Sequence, residues 1–229
     1  MRAVRLIAIL WVVLFALGVS VARAGVITAV TNPSGPGCIG APCAGNTATA
    51  TLAPAVLPNN DDILDPGPSV NSIDVTEYFT SINYLDVGFT VANSAGLPVP
   101  PNGVAGVTEY FSSSIAVNND TGVTWTDFHW TLIPAVFFDG LDFDYASISP
   151  DPFSSAFTSL VYMEDKLDFQ GGTGVANNSA VFFTFSIDVP DGITSFTLRG
   201  VPTVVPEPAS LLLLGSGLAG LGLRRRWHS

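Results

Sequence analysis

The chain has few basic residues, and most of them stand near its two ends. Its 229 residues include 8 lysines and arginines against 19 aspartates and glutamates, a formal net charge of −11 at pH 7. Between Gly25 and Val205 only Lys166 and Arg199 are basic, against 18 acidic residues, so this region carries a net charge of −16. Such a surface repels nucleic acid and anionic lipid and has almost no cations with which to hold phosphate. Nucleic-acid binding is therefore excluded.

Cysteine and histidine are equally scarce. Cys38 and Cys43 are the only cysteines, and His129 is the only histidine between the two ends of the chain. A metal site built on the cysteines would need further soft ligands nearby, which the sequence does not supply. In an oxidising compartment an isolated C-x4-C pair most simply forms a local disulfide. We predict a Cys38–Cys43 disulfide, whose short loop gives only a small entropic stabilisation.

Helical periodicity and the common catalytic motifs are also missing. Residues 25–204 contain no amphipathic helical stretch of useful length and no repeat of fixed period. There is no Gly-x-Ser-x-Gly elbow, no P-loop and no H-E-x-x-H sequence. These absences argue against a helical bundle, an α/β-hydrolase, a P-loop nucleotidase and a zinc protease of the common type.

Alternation of apolar and polar residues is the main pattern that is present. It runs through residues 85–91 and 181–189, and it predicts half-buried strands. Pro190-Asp191-Gly192 is predicted as a turn, with residues 193–198 as the returning strand of a hairpin.

A second hairpin is predicted around the turn 118–122, with strands at 112–117 and 123–133. Short strands separated by Gly, Pro and Asn turns indicate an all-β fold. We predict an antiparallel β-sandwich of Ig-like or jelly-roll kind, formed by residues 25–204 as one extracellular domain.

The N-terminal end has the layout of an export signal. Arg2 and Arg5 form a basic region, residues 6–19 an apolar one, and Ala22-Arg23-Ala24 a small-x-small cleavage site. Residues 1–24 are predicted to be a signal peptide, with a retained N-terminal anchor as the alternative.

A polar motif and an apolar run follow one another near the other end. The motif is Pro206, Glu207 and Pro208, and the apolar run covers residues 209–223. The run has 15 residues, which reach about 22 Å as a helix, less than the roughly 30 Å hydrocarbon core. That length suits a transient sorting signal, by analogy with cleaved tails that leave no transmembrane helix.

A basic cluster completes this layout. It consists of Arg224, Arg225 and Arg226, which resist translocation and stay on the cytoplasmic side as a membrane stop. An ordinary tail anchor that happens to contain two prolines is the alternative to a sorting signal.

The order and placement of these residues resemble the sorting signal of the PEP-CTERM family of bacterial exported proteins. The resemblance covers residues 205–229, about a tenth of the chain. It implies signal peptidase and exosortase as processing partners, and export across the inner membrane of a Gram-negative bacterium. It also implies transient anchoring through a short transmembrane helix, a final location at the cell surface or outside the cell, and exopolysaccharide as a partner.

A W-x-D-F-H segment resembles a stretch that recurs in exported β-rich PEP-CTERM proteins. Alternation predicts Trp125, Asp127 and His129 on one face of a strand and Phe128 and Trp130 on the other. Asp127 and His129 could hydrogen-bond to each other or jointly hold a metal. The interpretation that we favour is that Phe128 and Trp130 fill the core while Asp127 and His129 bond to neighbouring backbone.

Two acidic clusters are candidate cation sites. Asp142 and Asp144 share a strand face, with Asp139 in the preceding turn, and residues 61–65 carry three more carboxylates. Calcium prefers several such oxygens on a bent loop, but neither spacing matches the EF-hand pattern. We favour a solvated acidic turn and no cofactor, with calcium at Asp139, Asp142 and Asp144 as the alternative and the candidate metal site.

Two functions are compatible with these observations. The first, which we favour, is a non-catalytic structural or adhesive protein of the cell surface or the extracellular matrix. The second is a secreted carbohydrate-active enzyme that uses a carboxylate pair among Asp127, Asp139, Asp142 and Asp144, because paired acids flank the sugar bond in glycosidases.

Overall fold

The structure is a computed structural model that describes residues 25–34, 45–52, 71–93, 107–134, 140–144, 151–190 and 192–204. These residues form twelve strands and no helix. No helix among them has the length and hydropathy that a membrane crossing requires. The predicted signal peptide, the Cys38–Cys43 pair, the loop 61–65, Asp139 and the C-terminal helix lie outside the described residues.

The strands follow one another along the chain with only turns and loops between the described ones. Their bounds are β1 Gly25–Ser34, β2 Thr47–Leu52, β3 Ile73–Phe79, β4 Leu85–Asn93, β5 Val107–Asn119, β6 Trp125–Pro134, β7 Asp142–Asp144, β8 Phe153–Ser154, β9 Ser159–Met163, β10 Lys166–Val175, β11 Ser179–Pro190 and β12 Ser195–Thr203.

Two six-stranded sheets contain all of these strands. Sheet A has the order β1-β4-β12-β6-β10-β9, and every pair in it is antiparallel. Sheet B has the order β2-β3-β5-β11-β7, and β8 also pairs with β11. Sheet B is mixed because β3 runs parallel to β5. The all-β prediction is confirmed, and the antiparallel prediction is wrong for this one pair.

The two sheets share one core in a sandwich-like arrangement. The inward positions of the predicted alternating strands at 85–91 and 181–189 are buried. Phe128 and Trp130 of sheet A contact Phe183 of sheet B, with ring centroids 5.1 and 5.6 Å apart. Phe185 of sheet B also packs on Trp130, at 5.6 Å. The expectation that Phe128 and Trp130 fill the core is therefore confirmed.

Both predicted hairpins are wrong, because each turn carries the chain from one sheet to the other. Strand β5 belongs to sheet B and β6 to sheet A, and the same holds for β11 and β12. The first crossing is held by Asn119, whose amide donates to the carbonyls of Val123 and Val175, 2.8 Å each. Alternation and turn residues predict where strands begin and end, but they do not select the partner strand.

Trp125 is buried in the core and does not share the outward face of Asp127 and His129, contrary to the prediction. Its ring packs edge-on against Phe79, with centroids 5.5 Å apart. The alternation fails here because the partner strand bulges: Gln170 pairs with Asp127 and Val175 with Trp125, so four residues of β10 stand between two pairs.

A carboxylic acid lies inside this core. Glu77 points inward from β3, is fully buried, and neither of its side-chain oxygens has a hydrogen-bond partner. Burial, and secondarily the charge of Asp86, raise the pKa of Glu77 well above its ordinary value. Gly200 makes room for it, since a Cβ at that position would lie 2.7 Å from Glu77 Oε2. Burial therefore favours the protonated, neutral form of this acid in the folded protein.

Candidate functional site

A polar network occupies the outward face of sheet A. Asp127 and His129 project from β6, between β12 on one side and β10 on the other. His129 Nδ1 lies 2.6 Å from Asp168 Oδ1, and Lys166 Nζ lies 2.8 Å from the same oxygen. The Thr203 hydroxyl donates to Asp127 Oδ2 over 3.1 Å and lies 3.5 Å from His129 Nε2. Asp127 and His129 thus bind neighbouring side chains, and the favoured expectation that they bond to neighbouring backbone is wrong.

The order of Asp168, His129 and Thr203 resembles the acid, base and hydroxyl of a hydrolase triad. The Thr203 hydroxyl oxygen lies nearer to Asp127 Oδ2, at 3.1 Å, than to His129 Nε2, at 3.5 Å. Burial alone would raise the pKa of Asp168, but hydrogen bonds from Lys166 and His129 outweigh it and lower that pKa.

The same face carries a second ion pair one strand away. Arg199 of β12 binds Asp86 of β4 with two hydrogen bonds of 2.7 and 2.8 Å. The Arg199 guanidinium also lies over the ring of Tyr84, 4.0 Å from its centroid. Lys166 and Arg199, the only lysine and arginine among the described residues, therefore both have acidic partners.

Asp142 and Asp144 flank the fully buried Phe143 on β7; Asp142 is half-buried and Asp144 is buried, at 5% exposure. Asp142 stands opposite Asp188 of β11, and Asp188 in turn stands opposite Glu109 of β5. No group of three or more histidines, cysteines or acids in the described ranges could hold a metal ion. Because Asp139 lies outside those ranges, the predicted calcium site stays a prediction.

These carboxylates do influence a neighbouring tyrosine. The Tyr162 hydroxyl donates to the Phe143 carbonyl over 2.8 Å. Burial raises the pKa of Tyr162 to about 12, with smaller contributions from the charges of Asp142, Glu164, Asp144 and Asp188. Asp127 lies on sheet A, whereas Asp142 and Asp144 lie on sheet B.

The outward face of sheet B exposes three aromatic rings, which we call the aromatic face: Tyr78 of β3, Phe182 of β11 and Phe153 of β8. They are 49%, 51% and 57% exposed. Strand β5 lies between the strands that carry Phe182 and Tyr78. Phe182 pairs with Ala116 of β5, and Tyr78 pairs with Asn118 of the same strand. No ionisable side chain stands at the paired positions between the rings, which carry the threonines, alanines and asparagine Thr76, Ala116, Asn118, Ala180 and Thr184.

The sequence analysis did not find the aromatic face, although the sequence contains a signal for it. Phe182 occupies a polar position of an otherwise regular alternation, between the inward residues Val181 and Phe183. Tyr78 stands in the same way between the inward Glu77 and Phe79. An aromatic residue at the polar position of an alternating strand is the pattern that reveals such a face.

The family model of the PEP-CTERM protein-sorting motif matches residues 204–226. This chain carries a PEP-CTERM sorting motif. The motif marks an exported protein that exosortase sorts to the cell envelope or surface. No curated protein and no solved structure shows significant similarity to the chain. The comparisons therefore identify the sorting signal and leave the function of the β-rich body to its structure.

The PEP-CTERM match contains the sorting-motif and membrane-stop residues that the sequence analysis named. These are the motif residues Pro206, Glu207 and Pro208 and the basic stop Arg224, Arg225 and Arg226. They lie outside the described residues, so their individual roles stay predictions. The match begins at Val204, immediately after β12. The signal therefore follows the last strand of the sandwich without a described linker.

Proposed function

We propose that the exported protein is a non-catalytic, adhesive component of the cell surface or extracellular matrix that binds neutral exopolysaccharide. The single observation that carries this proposal is the aromatic face, which exposes Tyr78, Phe153 and Phe182 on an uncharged part of sheet B. Soluble proteins seldom leave several large aromatic residues exposed together unless the surface binds something.

The spacing of the rings suits a polymer. Phe153 and Phe182 are diagonal neighbours on paired strands, which places them about 7 to 8 Å apart. Tyr78 lies two strands from Phe182, about 10 Å across the sheet. The apolar C–H face of a pyranose ring packs well on an aromatic ring, and both surfaces then leave water. Three rings spread over this distance contact several sugars of one chain.

The positions and contacts of the candidate catalytic groups support the hypothesis that the protein is not an enzyme. Asp127 lies on sheet A and the Asp142–Asp144 pair on sheet B, and Asp144 is buried, which disfavours joint action of these acids on one bond. The hydroxyl of Thr203 is engaged with Asp127. We therefore propose that the network on sheet A holds strands together and does not catalyse a reaction.

We further propose the processing route that the sorting motif implies. Signal peptidase removes residues 1–24, the short C-terminal helix anchors the protein transiently in the inner membrane of a Gram-negative bacterium, and exosortase cleaves near Pro206-Glu207-Pro208. Intact-mass measurement of the protein from culture fractions tests both cleavages. Membrane-bound protein that retains Arg224, Arg225 and Arg226 would contradict the second.

The binding proposal is tested by affinity electrophoresis in native gels that contain exopolysaccharide purified from the producing culture. We expect the polysaccharide to retard the protein, and a variant with Tyr78, Phe153 and Phe182 changed to Ala to migrate freely. Val161→Ala is the matched control, because Val161 is an exposed apolar residue of sheet A. Equal retardation of all three proteins, or of none, would overturn the proposal.

A further inference from the structure

A surface cavity of about 410 Å³ lies at the seam where the edges of the two sheets meet. One side is β8 of sheet B and the segment after it, and the other is β9 and β10 of sheet A. Its lining includes Phe153, Ser155, Thr158, Ser159, Leu160 and Phe169. The volume falls within the range of small-molecule sites, about 300 to 1,000 Å³. Phe153 lines this cavity and also belongs to the aromatic face.

The cavity wall is held in place by a dense set of hydrogen bonds. Ser154 Oγ accepts from the backbone N–H groups of Ala156 and Phe157, at 3.3 and 3.2 Å. Ser155 N–H donates to the Phe182 carbonyl, and Phe182 N–H donates to Ser155 Oγ, both over 2.9 Å. The same serine thus fixes the wall to the strand that carries Phe182. A wall fixed in this way loses little conformational entropy when a ligand binds.

Strand β10 is shaped to seat this wall. A Cβ at Gly172 would lie 2.3 Å from the Ala156 carbonyl oxygen, and the φ angle of Gly172 is 74°, which favours glycine. Thr158 N–H donates to the Gln170 carbonyl over 3.2 Å. Phe157 is buried and its ring stacks on Phe183, which ties the wall to the core. The cavity is therefore a built feature of the sandwich.

The chemistry of the lining selects the ligand. None of the lining side chains is ionisable, so a charged ligand would lose its hydration without gaining a partner. Thr158 and Ser159 are exposed and present hydroxyl groups beside the apolar surfaces of Phe153 and Leu160. A purely apolar ligand would desolvate these hydroxyls without pairing them. A neutral sugar ring has both an apolar C–H face and hydroxyl groups, and it matches both kinds of surface.

We propose that this cavity binds one neutral sugar ring, at an end or a branch of the polysaccharide that lies on the aromatic face. Phe153 connects the two surfaces, because its ring contributes to each. This inference rests on the proposed function, and it adds that the protein recognises a chain end or branch in addition to the polymer surface.

The test measures binding of short neutral oligosaccharides, released by partial hydrolysis of the purified exopolysaccharide, by NMR titration of the exported protein. We expect Thr158→Val, which keeps the shape and removes the hydroxyl, to weaken this binding about fivefold, as for one lost hydrogen bond. Thr173→Val on β10 is the matched control, because Thr173 is exposed and does not line the cavity. Tyr78→Ala should leave oligosaccharide affinity unchanged and weaken retention of the intact polysaccharide.

The outcomes separate this inference from the proposed function. Two results would overturn the proposed sugar site in the cavity: unchanged affinity in Thr158→Val, or retention of the polysaccharide with no binding of any short oligosaccharide. Neither result would contradict binding at the aromatic face. If neither form of the glycan binds, both proposals are wrong. A proline-rich peptide or an alkyl chain that occupies the cavity in preference to the oligosaccharides would also overturn the assignment.

Discussion

The outward faces of the two sheets differ in whether their side chains bind one another or remain exposed. On sheet A the polar groups bind one another: Asp86 holds Arg199, and Asp168 holds both Lys166 and His129. On sheet B the aromatic face leaves its rings half exposed among small uncharged residues. The polar groups on sheet A pair with one another, whereas the aromatic face of sheet B exposes apolar surface that a partner could cover.

This difference bears on how an acidic exported protein can recognise a ligand. Lys166 and Arg199, the lysine and arginine among the described residues, both form ion pairs on sheet A, so neither is available to attract an anion. Recognition is left to neutral contacts, namely aromatic rings and hydroxyl groups. Neutral glycan is the extracellular polymer that such contacts suit, and this is why we place binding on sheet B.

The largest expected effect compares two neighbouring residues of β11. Phe183 is fully buried between the sheets, whereas Phe182 belongs to the aromatic face. We expect Phe183→Ala to lower the free energy of unfolding by about 3 to 5 kcal/mol. Phe182→Ala should change it by less than about 0.5 kcal/mol. Urea denaturation measures both. A comparable loss in the two variants would show that the Phe182 ring also supports the core.

The next effect concerns Glu77, which lies between the two faces. The pKa of Glu77 is raised in the folded protein, so above its ordinary value of 4.5 the folded state binds more protons than the unfolded state. Its stabilising contribution is complete below that pH and is lost as pH rises toward the folded pKa, at about 1.4 kcal/mol per pH unit. Glu77→Gln should remove this slope in urea denaturation at pH values above 4.5. An unchanged slope would mean that another group causes it.

A smaller effect is expected from the ion pair of Asp86 and Arg199. It is partly buried, bidentate and backed by Tyr84. Asp86→Asn should lower the free energy of unfolding by about 1 kcal/mol, and by less at high salt. Polysaccharide retention should stay unchanged, since the pair lies on sheet A. If this variant loses retention while its fold stays intact, sheet A takes part in binding and our assignment of binding to sheet B is wrong.

The smallest effect is expected from Asp168. Hydrogen bonds from Lys166 and His129 lower the pKa of Asp168, so its contribution is present above the unfolded pKa and is lost as pH falls through the folded pKa. Because the side chain is 20% exposed, we expect at most about 1 kcal/mol. Acid unfolding of Asp168→Asn, compared with the parent protein, checks this loss. A greater acid sensitivity in the variant would contradict the sign.

The sequence predicted the strands and the buried positions well, because alternation directly reports which side of a strand meets the core. It did not predict strand pairing. The turns at 118–122 and 190–192 fit a hairpin and a crossing between sheets equally well, and the choice depends on distant partners such as Asn119 with Val175. The parallel pairing of β3 and β5 is likewise a property of the whole sheet.

The candidate sites show the same contrast: those that depend on contiguous residues could be predicted, and those that depend on strand pairing could not. The sorting motif depends on a contiguous order of residues, and the family match confirms it. The partners of His129 could not be predicted, because Asp168 and Thr203 reach it only through pairing of β6 with β10 and β12. The cavity needs the segment after β8 to meet β10 and β11, which no local pattern indicates.

Chemical-shift mapping of the exported protein with soluble exopolysaccharide tests the central claim most directly. The account predicts that the ring resonances of Tyr78, Phe153 and Phe182 shift together on addition of the polymer, while those of His129 and Tyr84 on sheet A do not move. Shifts confined to sheet A, or no shifts on either face at polymer concentrations that retard the protein in gels, would contradict it.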